Sequence, residues 1–293
     1  MLRLNKKMHV KIVLLIFILQ LLTHINFGQN LVKNPSFEDF VNPSEDIYFA
    51  KDWIVPNEGT IDYYSEKCSQ TPKYISFTNM CYSTNNTWIG YNQPLDGIAY
   101  IGFLLFGWNG GMEHYTGVLV KPLIKDSTYD ISFYIKYGGD LFWIYSKKIE
   151  ILLTNDQIKS NYNTYLPNFG LINNLKATIT MDIQEAYKTR DWIRCSAKYK
   201  ARGGEKFITF GLFNQQDNSK LVKLTNEYNK KSNDYEWQIN FVNNHDIFPI
   251  APNINCKQHK KNRDNTVYAY YFLDAVSVTL GMKGEVDFTL PLK

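Results

Sequence analysis

Hydrophobic and polar residues alternate with a period of two over much of the chain. In "YDISFYIKY" (129–137), Ile131, Phe133, Ile135 and Tyr137 fall on one side, and Ser132, Tyr134 and Lys136 on the other. Successive strand side chains point to opposite faces, so this pattern predicts a strand with one buried face. "KKIEILLT" (147–154) repeats it, with Ile149, Ile151 and Leu153 inward. "GIAYIGFLLFG" (97–107) is apolar on both parities, which predicts a central strand covered on both sides. "EKFITFGLF" (205–213), introduced by Gly203-Gly204, and "YYFLDAVSVTL" (270–280) complete the set. Turn signals at 94–97, Gly110-Gly111 and Gly138-Gly139 punctuate these runs. No helical period of any length stands out after residue 28. Two polar stretches, about 155–190 and 214–266, interrupt the rhythm and read as surface excursions. Short strands with Gly-marked turns and few helices predict an all-β fold, an antiparallel β-sandwich. Residues 29–293 form one domain with polar loop insertions in this reading.

The first 28 residues read as a secretory signal peptide. Arg3, Lys6, Lys7 and Lys11 precede the apolar run "IVLLIFILQLL" (12–22), which is too short to span a bilayer. Its removal near Gly28 changes the charge picture. Those four are the leader's share of the 32 basic residues and it holds no acid, so 28 basic face 28 acidic residues. A neutral mature chain lacks the electrostatic footprint of a nucleic-acid binder. No further stretch is long and apolar enough for a membrane span. The expected location is secreted or cell-surface, with the periplasm as the alternative. Cys68, Cys81, Cys195 and Cys256 permit three disulfide pairings in an exported chain. Cys68–Cys81 is the local one, and Cys195–Cys256 follows from it by elimination. Free buried thiols are the alternative.

Asp274 is the anomaly in the last predicted strand. It shares parity with Phe272, Val276 and Val278, which places a carboxylate on an apolar face. An ionised carboxylate there needs a cation, a set of donors or a place at the rim. First and last strands of a jelly roll commonly lie side by side, which would bring Glu38 of "NLVKNPSFEDF" (30–40) to Asp274. Two carboxylates with carbonyls of the 34–37 turn would suit calcium. A hydrogen-bonded Asp without metal is the alternative.

Catalytic signatures are sparse. The mature chain has three His (His114, His245 and His259), none in an HExxH pattern, and no GxSxG elbow, P-loop or dinucleotide fingerprint. The best binding candidates lie in "FGWNGGMEHYTG" (106–117) and "YGGDLFWIY" (137–145). Trp108, Tyr115, Trp143 and Tyr145 would stack on sugar rings, and Glu113 and Asp140 would bond to hydroxyls. Trp53 and Trp192 read as core residues.

"NLVKNPSFED" after the leader, "GVLVKPLIKDSTYDISFYI", "ARGGEKFITFG" and "YYFLDAVSV" follow in an order that resembles galactose-binding-like, carbohydrate-binding-module-like jelly rolls of exported bacterial cell-surface proteins. The resemblance covers most of the mature chain. It implies a jelly-roll β-sandwich with a structural calcium site at Glu38 and Asp274. The sequence departs from the pattern at "LDAV", where a second acid often stands, and in its long 214–266 insertion. The expected function is a non-catalytic carbohydrate-binding or cell-surface adhesion module whose partner is a polysaccharide or surface glycan. A structural envelope or matrix protein with a protein partner, contacting it through 214–266, and a secreted polysaccharide hydrolase using Glu113 and Asp140 are the alternatives.

Overall fold

The computed structural model describes residues 28–44, 47–56, 61–68, 81–82, 92–106, 112–138, 145–158, 175–213 and 269–281. Strands β1 (Phe40–Ser44) and β2 (Ile47–Ala50) pair as a separate hairpin; β3 (Trp53–Ile54), β4 (Asp62–Ser65), β5 (Cys81–Tyr82), β6 (Ala99–Phe106), β7 (Tyr115–Val118), β8 (Thr128–Tyr137) and β9 (Lys148–Thr154) follow. Then come β10 (Ile179–Asp182), helix α1 (Gln184–Thr189), β11 (Ile193–Lys200), β12 (Phe207–Gly211) and β13 (Ala269–Leu280). One sheet has the order β11-β8-β13-β6-β4-β5 and the other β10-β9-β12-β7-β3. Every pairing in them is antiparallel except β4 with β5. The fold is the antiparallel β-sandwich that the alternation predicts, in the jelly-roll form that the resemblance implies.

Alternation decides which side chains meet between the sheets. On the six-stranded sheet, Ile131, Phe133, Ile135, Ile101, Phe103, Tyr271 and Leu273 turn inward and are buried. Phe133 meets Phe210 of the opposite sheet edge-on at 5.1 Å, and Trp53 stacks on Tyr115 at 5.0 Å. Trp53 is thus a core residue, as the sequence predicts.

The polar excursion at 155–190 holds structure that the pattern conceals. Its end forms β10, paired with β9, and α1. Arg190 closes the helix in the left-handed conformation, and its guanidinium lies over the rings of Tyr137 and Tyr187 at 4.8 and 4.9 Å. The 214–266 stretch lies outside the described residues.

The two ends of the chain meet. Leu31 donates its N–H to Val278 O (2.8 Å), and Val276 donates to Pro35 O (2.9 Å). The opposite side of the same segment bonds the other sheet, through Lys33 N–H to Val118 O (3.0 Å) and Val120 N–H to Leu31 O (2.7 Å). The Asn30 side chain donates to Val276 O and accepts from Val278 N–H. Residues 30–35 therefore form a seam joined to both sheets.

One parity expectation is corrected. Between Asp274 and Ser277 the register with β8 slips, and Ala275 adopts φ 49°. This bulge inserts an extra residue and breaks the alternation. Phe272 and Asp274 stand opposite Lys136 and Tyr134 on the outward parity, whereas Val278 stands opposite inward Ile131.

Candidate functional site

Carboxylates bind backbone in several places. Glu38 Oε1 accepts N–H bonds from Ile98 (2.8 Å) and Ala99 (3.0 Å). Asp274 Oδ2 accepts from Leu95 (2.9 Å) and Asp96 (3.1 Å), and its Oδ1 from Ala275 (2.6 Å). Both acids, one from each end of the chain, thus grip the same 95–99 turn. Gly97 sits between them at φ 66°, and a Cβ there would come within 2.2 Å of Glu38 Oε1. Only a residue without a side chain lets the carboxylate close on the turn. Ser36 Oγ donates to Asp96 Oδ2 (2.7 Å), which ties the turn to the first segment again. Elsewhere Glu113 accepts from Leu104 N–H, Glu150 from Phe213 N–H, and Glu205 from Arg202 and Gly203 N–H.

Asp274 is wholly buried, and burial pushes its carboxyl up to about 7 against the pull of its three N–H donors, with Asp96 adding to the rise. The Asp274 carboxylate is thus held where burial penalises its charge. A cation beside it would offset that penalty, and the carboxylate oxygens of Glu38 and Asp274 are the donors it would use. Calcium takes six to eight oxygens. Among the described residues no group of three or more His, Cys, Asp or Glu side chains is arranged to hold a metal.

The second feature is the outward face of the six-stranded sheet. Outward positions of a sandwich sheet are ordinarily polar, yet here Tyr64, Tyr100, Tyr270 and Phe272 occupy them and are buried. Tyr64 and Tyr100 lie on adjacent strands and stack at 4.9 Å, and Phe272 meets both edge-on. The Tyr270 hydroxyl donates to Asp62 Oδ2, crossing β6 at Gly102 on its way from β13 to β4. Burial raises the carboxyl of Asp62 well above the usual range, and the charge of Glu113 adds to it.

Toward β11 the same face opens. Tyr134 and Lys136 are half-buried, Arg194 is exposed, and Arg194 stands directly opposite Tyr134. Trp192, one residue before β11, is half-buried; its Nε1–H donates to Gln93 O (3.0 Å), and its ring meets Tyr100 at 5.9 Å. The sequence reads Trp192 as a core residue, and the structure packs its half-buried indole against the core cluster from the outer face, beside Tyr100. Period-two parity extended back from Ile193 would have found it. The six-stranded sheet thus presents a half-open surface of indole, phenol, ammonium and guanidinium groups.

Three of the predicted ligand residues, Glu113, Tyr115 and Tyr145, fall among the described residues. Tyr115 is buried between the sheets against Trp53 and Phe37. Glu113 is buried, with Oε2 committed to Leu104 N–H. Tyr145 is half-buried and stacks on Tyr187 at 4.1 Å. Trp108, Asp140 and Trp143 lie outside the described residues, as do Cys256 and the side chain of Cys81. Cys195 is a free thiol, which corrects the Cys195–Cys256 pairing. It faces inward opposite Phe133, and burial pushes the thiol up to about 11. Cys68 is buried just after β4. His114, also buried, contacts Leu212 O through Nε2 (3.0 Å) and is held down at about 4 by burial.

No protein-family model and no curated protein matches the chain. Among solved structures it is similar to the K1 cleaved adhesin domain of Lys-gingipain from Porphyromonas gingivalis, at 12% identity and a TM-score of 0.35, covering 87% of this chain and 100% of that one. It is also similar to the CBM22-1 xylan-binding domain from Paenibacillus barcinonensis, at 11% identity and a TM-score of 0.33, covering 88% and 97%. At these TM-scores the likeness carries no argument.

Proposed function

We propose that this chain is an exported, non-catalytic carbohydrate-binding or cell-surface adhesion module that holds its glycan on the outward face of the six-stranded sheet. The observation that supports it is the half-open surface of Trp192, Tyr134, Lys136 and Arg194 on a face whose neighbouring positions are aromatic. Flat C–H surfaces of sugar rings stack on aromatic side chains, and charged donors fix the hydroxyls or acids around the ring. The buried acids Glu113, Glu150, Glu205 and Asp274 each hold backbone N–H groups, which gives them a structural task. Among the described residues no helix is long and apolar enough to cross a membrane.

The test incubates the protein with insoluble and soluble polysaccharides and measures retained protein and released reducing ends in the same tubes. Retention without release, weakened in Trp192→Ala, supports the module. Release of reducing ends makes the protein a hydrolase and overturns the reading.

A calcium ion at the terminal clamp is the second part of the proposal. Glu38 and Asp274 would hold it, and the ion would supply the countercharge that their shared turn lacks. An ion bound only by the native state raises the melting temperature. Melting with added calcium and with chelator checks this; superimposed curves and metal-free protein would leave the clamp to the N–H bonds alone.

A further inference from the structure

On the open half of the outer face, Tyr134 and Lys136 of β8 share a face two positions apart, and Arg194 of β11 stands across from Tyr134. Trp192, which precedes β11, sets its ring against Tyr100 on the same face. Same-face neighbours lie roughly 7 Å apart along a strand and about 5 Å apart across strands. Tyr134 therefore has a cationic neighbour both along its strand and across from it.

We infer that the ligand of this surface is an acidic polysaccharide, one whose sugar units carry carboxylates, and the inference rests on the glycan-binding reading above. A uronate unit presents an apolar ring face and a carboxylate together, and Tyr134 with its two cationic neighbours meets both at once. Among the described residues neither Lys136 nor Arg194 has a carboxylate within ion-pair distance. Arg194 has the planar fork that matches a carboxylate with two parallel bonds. Burial pulls the Lys136 ammonium down, and the charge of Asp191 opposes this in part. A neutral glycan would gain from the rings and leave both cations unused.

The experiment compares polygalacturonate and alginate with neutral xylan and laminarin, by affinity electrophoresis at rising salt. The proteins are the native chain, Arg194→Gln, Lys136→Gln and Trp192→Ala. The expected result is retardation by the acidic polymers that fades with salt, falls about tenfold or more in either Gln variant, and falls in Trp192→Ala. Arg194 is exposed, so its Gln variant should melt with the native protein and report binding alone. Retardation by xylan or laminarin that ignores Arg194→Gln would overturn the acidic class while leaving the glycan reading standing. No retardation by any polymer would overturn both.

Discussion

Two acids stand side by side in the first segment, and the structure assigns them different tasks. Glu38 holds the N–H groups of Ile98 and Ala99, while the side chain of Asp39 is exposed. A hydrogen bond to a charged group contributes about 1.5–3 kcal/mol, so two set a ceiling of about 3–6 kcal/mol. Glu38 is half-buried, and water entering after truncation would satisfy part of the loss. Glu38→Ala is therefore expected to destabilise by about 2–4 kcal/mol. In a domain of this size that lowers the melting temperature by roughly 4–16 °C. Glu38→Gln keeps a carbonyl acceptor without the charge and should lose about half as much. Asp39→Ala should stay within about 0.5 kcal/mol of the native protein, as ordinary surface substitutions do. The assay is urea unfolding followed by near-ultraviolet circular dichroism, in chelator so that metal does not enter. Equal stability of the Glu38→Ala and Asp39→Ala proteins would refute the clamp.

Three further outcomes follow from single sites. Gly102→Ala puts a methyl group within 2.1 Å of the Tyr270 hydroxyl, whose ring is trapped between Tyr64, Phe272 and Asp62, so a loss of about 1–3 kcal/mol is expected in the same unfolding assay. His114 is held neutral at about 4 in the fold against an ordinary value near 6.5, so its contribution is full above pH 6.5 and is lost as pH falls toward 4. The loss is about 3 kcal/mol, and His114→Gln should flatten that part of the stability–pH curve. Cys195 should resist a thiol reagent in the native protein and react promptly in urea; equal rates in both would contradict its burial.

The long strands announced themselves through burial of one face, or of both. The alternation at 129–137 became β8 to within a residue, and the doubly apolar run at 97–107 contains β6, covered on both sides. Helix α1 escaped notice because its six residues are too few to show a period, and two buried residues, Ala186 and Tyr187, anchor it. The bulge at Ala275 escaped because nothing in "LDAVSV" marks a residue with positive φ. That missed residue shifted the expected face of everything after it. The meeting of Glu38 with the region of Asp274 was foreseen from the topology of jelly rolls, but the turn they share was not. The expected ligand loops drew attention through Gly pairs and Trp, whereas Trp192 and Arg194 sit in an ordinary strand approach. Only the sheet order, which puts β11 and β8 side by side, turns them into a surface.

The seam at residues 30–35 has a kinetic consequence. Its partners on β13 lie some 246–248 positions further along the chain, as the Asn30 contacts with Val276 and Val278 record. The segment is completed by a strand far along the chain, and loop-closure entropy must be met before that contact returns anything. In folding, β13 must be in place before residues 30–35 can bond to it, so the seam is expected to close late and to lock both ends together.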